Sequence, residues 1–407
     1  MDLSAVASFT GTAIDVCGVR APWVIAHYAA LTYLNRTSRD RPIRTLPRRS
    51  QAERSGEATP ADVVIPVFNN FDDTRRLLEA LRSDAREIAQ IIVVNDASTD
   101  LRVLPMLRSY CNEVANALLV ENERNLGFVG TCNRGMALSN RDLVILNTDI
   151  ELPAGAVARL IRTLRSAPDI ATVTPFSNNA YAAGVPHLNY CNDRPFSAPT
   201  EAIDRAFQSL RGFDPIDVPR GVGFCMAVSR DVREKLGGFS AEFGQGYGEE
   251  ADFCMRARRI GYRNVIAPDV YVYHAGGSSF GDTWKKKARA GQLRFLNLHP
   301  SYVGLMRTYL ADSPSRAVAF ASIVALARQL SGKKMEVLPP ASETGPLSEG
   351  PFLQMKLLGS RAQFLIIFRG ESHVFLFDSP EVAQAALLLA GLDELSELRG
   401  DKPGPAG

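Results

Sequence analysis

The sequence predicts an α/β protein with a mostly parallel central sheet, helices on both of its faces, and a small C-terminal α+β appendage. Two observations carry this prediction. From residue 61 to about residue 180, short Val- and Ile-rich runs alternate with amphipathic stretches, which is typical of a parallel sheet covered by helices. Beyond residue 330, two β-like runs replace that alternation, FLQMKLL and QFLIIFRGESHVFLF, the second with a turn at Gly370, and a helical stretch follows them.

The elements follow one another in a regular order. ADVVIPVF is the first predicted strand, and DDTRRLLEALRSD behind it has the leucine spacing of a helix. Further buried runs with polar ends are IIVVNDASTD, ALLVENE and DLVILNTDI, followed by ATVTPF; helices are predicted at FVGTCNRGMALSN and PAGAVARLIRTLRSAPDI. Residues 177–220 read as an irregular segment with one helix. The regular part closes with GVGFCMAVSRDVREKLGGF (strand and short helix), GQGYGEEADFCMRARRIGY (glycine-rich loop and helix) and VIAPDVYVYHAGGSSFG (strand and loop).

Three parts of the chain are expected. Residues 1–58 form an N-terminal extension, in which 21–35 has helical spacing; packing on the main domain and docking to a membrane or partner both remain open for it. The Arg-rich, Pro-broken stretch 36–60 reads as a linker. Residues 59–311 form the main domain, and residues 312–407 form a helix, a linker and the small α+β module, whose role the sequence does not indicate.

Composition excludes several classes of protein. Hydrophobic residues make up 46% and charged residues 22%, which argues against disorder, and a net charge of +2 gives no reason to expect a nucleic-acid partner. Six dispersed cysteines without a CxxC pair favour reduced thiols. We find no signal peptide and no run of roughly 18 apolar residues. A cytoplasmic protein is therefore expected, with peripheral attachment to the inner face of the membrane as a further option and an unknown oligomeric state.

Acidic residues mark the predicted ligand-binding edge of the sheet. Asp96 and Asp149 follow two strands at their carboxyl ends, where ligands of such sheets bind, although either residue would also serve as a helix cap. The run 249–252 (EEAD) opens a helix, whose dipole alone would also favour acidic residues there. His274 ends a later strand. Carboxylate oxygens together with diphosphate oxygens suit Mg²⁺ or Mn²⁺, and an imidazole favours Mn²⁺.

Seven segments together resemble a known family. They are VVIPVFNN, VVNDASTD, NERNLGFVGTCNRGM, the tripeptide NTD at 147–149, GVGFCMAVSRDVREKLGGF, YGEEADFCMRARRIGY and VYHAGGSS. In this order they resemble the family 2 glycosyltransferases of the GT-A fold, which are inverting enzymes that use nucleotide-activated sugars. The similarity covers about residues 61–300 and is nearest in character to bacterial enzymes that build surface polysaccharides, including rhamnosyltransferases.

The resemblance assigns roles on the donor side. Asp149 matches the last Asp of the family's DxD motif, which contacts the metal; Asn147 replaces the first Asp, and His274 matches a histidine that completes the metal shell. Asp96 matches the carboxylate that binds the pyrimidine base. The remaining residues implied to bind the donor nucleotide are Pro66, Phe68, Asn69, Asn125, Gly127, Phe128 and Thr148.

It also implies the catalytic groups. Glu250 takes the place of the family's base, which is usually an Asp, so that here the base carries one more methylene group. Glu249 is expected to bind sugar hydroxyls, and Asp252 to orient either the helix start or a sugar. The basic residues that follow His274 are expected either to close over the phosphates as a lid or to form a solvated helix face; they are Lys285, Lys286, Lys287 and Arg289.

The expected function is metal-dependent transfer of a sugar from a UDP- or dTDP-sugar to a hydroxyl of a saccharide or lipid-linked acceptor, in cell-surface polysaccharide synthesis. A non-catalytic relative that binds nucleotide sugar or scaffolds an assembly remains open because of Asn147 and Glu250. A sugar-1-phosphate nucleotidyltransferase is the less favoured alternative, since no Gly-rich basic signature follows the first strand. His187 and His299 are expected to be structural, and Trp284 either stacks on a sugar or packs.

Overall fold

The computed structural model of the chain describes residues 60–188, 191–211, 213–244, 246–276, 284–311, 313–338, 350–358, 361–378 and 380–392. The helix predicted at 21–35 and, except for Pro60, the linker predicted at 36–60 lie outside these ranges.

The first half of the main sheet is parallel. The strands Ala61–Val67 and Leu143–Leu146 are apolar runs buried almost throughout, as expected where helices cover both faces, whereas the edge strand Ala117–Glu121 is half-buried to exposed. β1 pairs with β2 and β4, and β2 pairs with β3, all in parallel, and the polar residues that end these strands therefore meet at one edge. The elements are β1 (Ala61–Val67), α1 (Phe71–Asp84), β2 (Ile88–Asn95), α2 (Val103–Glu113), β3 (Ala117–Glu121), α3 (Gly127–Ala137) and β4 (Leu143–Leu146).

The second half is mixed. β8 runs antiparallel between β4 and β6, and the edge strand β7 runs antiparallel to β9, whereas β6 and β9 are parallel. The elements are β5 (Ile150–Glu151), α4 (Ala156–Leu164), β6 (Ile170–Phe176), α5 (Thr200–Gln208), β7 (Ile216–Val218), β8 (Cys225–Val228), α6 (Arg230–Leu236), α7 (Glu249–Arg259), β9 (Arg263–Tyr271), β10 (Tyr273–His274), α8 (Trp284–Leu298) and α9 (Tyr302–Ala311).

These pairings join into one sheet with the strand order β3-β2-β1-β4-β8-β6-β9-β7, while β5 and β10 form a separate two-stranded ribbon. β4, β6 and β9 are buried along their whole length, so both faces of the sheet are covered. The predicted fold class is confirmed: an α/β protein with a mostly parallel central sheet. What the alternation did not predict is the reversed direction of β8 and β7.

Helix α3 lies unusually close to the sheet. A Cβ atom placed on Gly135 would lie 2.4 Å from Cγ1 of Val64 and 3.2 Å from Cγ2 of Val94. Glycine at this position therefore lets the helix backbone rest directly on β1 and β2. The contact fixes the C-terminal part of α3 against the sheet; the other end of the same helix carries residues of the candidate site.

The C-terminal part is a four-stranded sheet with the strand order β11-β12-β13-β14, in which β11 is parallel to β12 and the other pairs are antiparallel. Buried and exposed residues alternate along β13 and β14, and Phe320 packs on three phenylalanines of the buried face. The hairpin turns at Gly370, with φ of 78°. The elements are α10 (Pro314–Ser331), β11 (Glu336–Leu338), β12 (Phe352–Leu358), β13 (Arg361–Phe368), β14 (Glu371–Phe377) and α11 (Pro380–Leu389).

This module is attached to the irregular segment that precedes α5. The ring of Phe196 lies edge-on to Phe368 at 5.2 Å and to His373 at 4.9 Å, and the backbone N–H of Phe196 donates to Oε2 of Glu371 at 2.7 Å. The module therefore braces a segment that we expected to shape the pocket. No single helix in the described ranges is long and apolar enough to span a membrane; Tyr302–Leu310 and Pro314–Ser331 reach that length and composition only as a pair bent by 42°.

Candidate active site

Two turns meet at the carboxyl edge of the parallel strands. Asp96 follows β2 directly and is 3% exposed, and Asp149 lies three residues beyond β4 and is 8% exposed. The amide of Asn70, in the loop after β1, donates to Oγ1 of Thr148 at 3.4 Å. The loop after β1 and the NTD tripeptide are thus in direct contact, as neighbouring parallel strands require.

Asp96 fastens the loop in front of α3. Its Oδ1 accepts hydrogen bonds from Nδ2 of Asn122 and from the backbone N–H of Leu126, both at 2.7 Å, and its Oδ2 accepts from the N–H of Gly127 at 3.0 Å. Oδ1 of Asn125 accepts from the same Gly127 N–H at 3.0 Å. Because a carboxylate offers about four acceptor sites, three protein donors leave about one site for a further donor such as an N–H of a base. The first task of Asp96 is therefore to shape this loop.

Asn69 plays a similar part beside it. Its side-chain oxygen accepts from the backbone N–H groups of Thr99 and Asp100 at 2.8 and 3.0 Å, which ties the loop after β1 to the loop after β2. Asn69 has φ of 55°, a left-handed conformation that asparagine tolerates well. Pro66 and Phe68 are half-buried around this point, and the half-buried ring of Phe128 lies 6.5 Å from that of Phe239.

The ring of His274 faces Asp149. Nδ1 of His274 lies 3.2 Å from the carbonyl oxygen of Asn179, and because a carbonyl only accepts, Nδ1 carries a hydrogen. Nε2 lies 3.5 Å from Oδ2 of Asp149. This separation leaves room for a cation that binds both atoms. A backbone acceptor behind the other ring nitrogen is also what orients metal-binding histidines.

The surroundings of His274 hold the ring in place. It stacks on Phe224 with centroids 4.7 Å apart and an angle of 10° between the rings, and its backbone N–H donates to Oδ1 of Asn178 at 2.9 Å. In the ribbon, His274 pairs with Ile150, directly after Asp149. Sequence reasoning missed Phe224 and the two asparagines, because these contacts join segments about 50 and 96 residues away from His274 in the chain.

The donor set fits a divalent cation that also binds substrate oxygens. Oδ1 of Asn147 is buried without a hydrogen-bond partner among the described residues, which adds an uncommitted oxygen to Asp149 and His274. No group of three or more His, Cys, Asp or Glu side chains in the described ranges would hold a metal alone. Mg²⁺ and Mn²⁺ commonly bind through one or two carboxylates plus phosphates and water.

A second group of acidic residues lies in the first turn of α7, directly after Gly248, which has a φ of 108°. Glu249 is 4% exposed, and its Oε2 has no hydrogen-bond partner in the described part of the chain. Burial raises the pKa of Glu249 well above its usual range, and the negative charge of Glu250 raises this pKa further. The surroundings of Glu249 thus favour its protonated form over its ionised form.

Glu250 lies between an arginine and a glycine. Its Oε1 accepts from Nη1 of Arg220 at 3.4 Å. A Cβ atom placed on Gly223 would come within 3.3 Å of the Cβ of Glu250 and 3.4 Å of its Cγ, so only a glycine leaves the side chain its full space. Phe224, the residue after Gly223, stacks on His274. Two consecutive residues therefore connect the carboxyl pair with the predicted metal ligands.

Asp252 is held by protein groups. Its Oδ2 accepts from Nε of Arg256 at 2.7 Å, and its Oδ1 lies 2.8 Å from Nε2 of His299. Arg256 also donates to the carbonyl oxygens of Leu236 and Gly238. These contacts fit the first of the two expected roles of Asp252, which is to orient the start of α7.

Other predicted residues lie away from this centre or outside the described part. His299 has Asp252 as its partner, and His187 lies 6.1 Å from the ring of His373 in the C-terminal module. Burial lowers the pKa of His187. The basic residues Lys285 to Lys287 begin α8, but residues 277–283 and the side chains of 284–287 lie outside the described set, so the lid prediction is untested.

Sequence comparison gives a family for the central region. Residues 62–237 match the family model described as glycosyl transferase family 2. The low-salt glycan biosynthesis hexosyltransferase Agl10 of Haloferax volcanii is 24% identical over 302 residues, which cover 69% of this chain and 87% of that protein. The galactofuranosyltransferase GlfT2 of Mycolicibacterium smegmatis is 25% identical over 245 residues, covering 54% of this chain but 38% of its own length.

Among solved structures, one similar chain is a mannosyltransferase from Pyrobaculum calidifontis in complex with GDP-Man and Mn²⁺. It aligns with a TM-score of 0.47 and 16% identity, covering 81% of this chain and 86% of the mannosyltransferase.

Proposed function

The chain carries a glycosyltransferase family 2 domain, and we propose that it transfers a sugar from a UDP- or dTDP-sugar to a hydroxyl group of a saccharide or lipid-linked acceptor, with inversion at the anomeric carbon. The observation that carries this proposal is the junction at Gly223 and Phe224. One of these residues contacts Glu250 and the other contacts His274, so a base and a diphosphate-binding pair flank one short segment.

The donor is proposed to lie along the carboxyl edge of β1, β2 and β4. Asp149 and His274, with Asn147 beside them, would hold Mn²⁺ or Mg²⁺, and the bound cation would offset the charge that develops on the diphosphate leaving group. The nucleoside would contact the loops that Asp96 and Asn69 shape. The donor-side residues are Pro66, Phe68, Asn69, Asp96, Asn125, Gly127, Phe128 and Thr148.

The transfer step uses the carboxyl pair at the start of α7. Glu250 accepts the proton of the acceptor hydroxyl, whose oxygen attacks the anomeric carbon while the bond from that carbon to the diphosphate oxygen breaks. Glu249 in the protonated form that its burial favours donates a hydrogen bond to a sugar hydroxyl or to its neighbour. Burial excludes water from this acid, which strengthens such a bond.

The wider context is also proposed. Residues 59–311 act as the transferase domain, and residues 1–58 and 312–407 are appended parts, the second of which braces the pocket through Phe196 and Glu371. The two curated transferase relatives support a role in assembling a polysaccharide or another glycan. We propose a cytoplasmic location with peripheral attachment at the membrane, where lipid-linked acceptors are found.

The test is calorimetric titration of UDP and dTDP with and without Mn²⁺. The unaltered protein is expected to bind one of them in a metal-dependent manner, and Asp149→Ala is expected to lose that dependence with at least about a 10-fold weaker affinity. Asp231→Ala is the matched control, because Asp231 lies exposed on α6. Metal-independent binding, equal in all three proteins, would contradict the proposed donor site.

A further inference from the structure

Arg220 occupies the loop between β7 and β8 and points its guanidinium at the carboxyl pair. Nη1 donates to Oε1 of Glu250 at 3.4 Å, and the Arg220 side chain is 22% exposed. None of the seven segments that carry the family resemblance contains Arg220, since the fifth begins at Gly221, so nothing in that resemblance assigns Arg220 a role.

We propose that Arg220 is a positioning residue for sugar transfer, which fixes the carboxylate of Glu250 in the orientation of the base. This inference depends on the proposed function, because it assumes that Glu250 is the base. Arg220 lies in the connection between β7 and β8, whereas Glu250 lies on α7, so the proposal adds a second segment of the chain to the transfer step.

Three aromatic rings fix Arg220 itself. Its guanidinium carbon lies 5.2 Å from the ring centre of Tyr181, 5.7 Å from that of Tyr302 and 6.0 Å from that of Phe295. These rings belong to three separate segments: the turn after β6, α8 and the start of α9. Arginine combines a permanent charge, a rigid planar group and stacking on aromatic faces, so this surrounding restrains both its position and its plane.

Gly223 restrains Glu250 from another direction. Its missing Cβ leaves the space that the Cβ and Cγ of Glu250 fill, at 3.3 and 3.4 Å from that ideal position. The carboxylate is therefore confined between a backbone and a guanidinium. A displacement of about 1 Å at a reacting group is enough to cost about 100-fold in rate.

Charge supports the same role. The groups around the pair are Glu249 and Cys254 on α7, Arg220 on the loop, and the phenols of Tyr181 and Tyr302. Among the described residues that act on the pKa of Glu249, Glu250 is the anion that raises it and Arg220 is the cation that lowers it. Without the guanidinium, the two adjacent carboxyl groups would share one proton, and no cation would determine which of them is the acid and which is the base.

The experiment compares Arg220→Gln and Arg220→Lys with Arg230→Gln, a control on the exposed arginine of α6. We expect Arg220→Gln to lower kcat by about 10- to 100-fold with nucleotide affinity unchanged. The acid limb of its kcat/KM profile should move to higher pH, because loss of a nearby positive charge disfavours an ionised carboxyl. Arg220→Lys should recover part of kcat, and Arg230→Gln should match the parent.

The variant Gly223→Ala should also displace the carboxylate of Glu250. It leaves Arg220 in place and crowds the Cβ and Cγ of Glu250, so it should also lower kcat with little change in nucleotide affinity. If Arg220→Gln does not fold, Arg220→Lys decides the role of Arg220, because a kcat equal to that of Arg230→Gln would contradict it.

The outcomes separate the two proposals. If the parent transfers sugar and Arg220→Gln has the kcat and pH profile of Arg230→Gln, the role of Arg220 is wrong while the transferase proposal stands. If the parent transfers no sugar from any UDP- or dTDP-sugar, the transferase proposal itself fails. A purely structural role for Arg220 would lower thermal stability in both Arg220 variants without moving the acid limb.

Discussion

The carboxyl groups at the two ends of the candidate site differ in their hydrogen bonds to the protein. On the nucleotide side, Asp96 accepts three hydrogen bonds from Asn122, Leu126 and Gly127. On the transfer side, Oε2 of buried Glu249 has no hydrogen-bond partner among the described residues. Buried polar groups are normally bonded, and those that are not require an explanation. The difference teaches that Asp96 is committed to holding the loop in front of α3, while Oε2 of Glu249 has no such commitment among the described residues.

The same contrast divides the acidic residues of α7. Asp252 is bound by Arg256 and His299, whereas the hydrogen bond that Glu250 accepts from Arg220 is longer, at 3.4 Å. Residues that are neighbours in the sequence thus have separate tasks. We infer which carboxylate acts on substrate from the number of protein hydrogen-bond donors that it has, and not from its position in the sequence motif.

The largest expected effect is that of Glu250→Gln. Removing the proposed base should lower kcat for sugar transfer by about 10²- to 10⁴-fold, because the amide cannot take the acceptor proton. Nucleotide affinity, measured by calorimetry, should stay the same. Glu234→Gln, on the exposed face of α6, is the control. A Glu250→Gln enzyme with unchanged kcat would remove this residue from the mechanism.

Asp96→Asn should mainly reduce stability. The amide places an NH₂ group against one of the three donors that Asp96 now accepts from, and leaving a buried donor unsatisfied costs about 1–3 kcal/mol. Urea unfolding should show this loss. If the variant is as stable as the parent but binds nucleotide poorly, Asp96 contacts the base directly and our assignment to the scaffold is wrong.

Glu249→Gln also replaces a carboxyl group by an amide, at the transfer side of the site. We expect it to increase stability, by less than Asp96→Asn decreases it. The pKa of Glu249 is raised in the folded protein by burial and by Glu250. Its contribution to stability is therefore present below the unfolded pKa of about 4.3 and is lost as pH rises through the folded pKa. The variant lacks this loss, so its stability relative to the parent should increase between pH 5 and pH 8, by about 1 kcal/mol.

That increase is read from urea unfolding at the two pH values. A stability difference between Glu249→Gln and the parent that does not change with pH would mean that Glu249 is not a buried acid, and the contrast with Asp96 would disappear.

Much of the main sheet was predictable from the sequence because parallel strands are continuous apolar runs such as Ile91–Val94, each followed by helical spacing. The reversed strand Cys225–Val228 was not, since strand direction depends on pairing with Leu143–Leu146, about 80 residues earlier. The hairpin at Gly370 followed from alternation and a turn residue. The three-residue strand Glu336–Leu338 is too short to show a period.

The site was predictable only where motif residues are local. The NTD tripeptide and the EEAD run stand out because they end a strand and open a helix. Arg220 and the His299 partner of Asp252 were missed, because each depends on contacts 30 or more residues apart that no local pattern contains. Arg220 directly precedes Gly221 of a recognised segment, so extending that segment by one residue would have included it.

The central claim is that this chain is a transferase whose base is Glu250. The most direct measurement is release of nucleoside diphosphate from a panel of UDP- and dTDP-sugars, with Mn²⁺ and a pool of saccharide acceptors, by the parent and by Glu250→Gln. We predict that the parent turns over at least one donor and that the variant does so at least about 100-fold more slowly. Equal turnover by both proteins, or turnover by neither, would contradict the account.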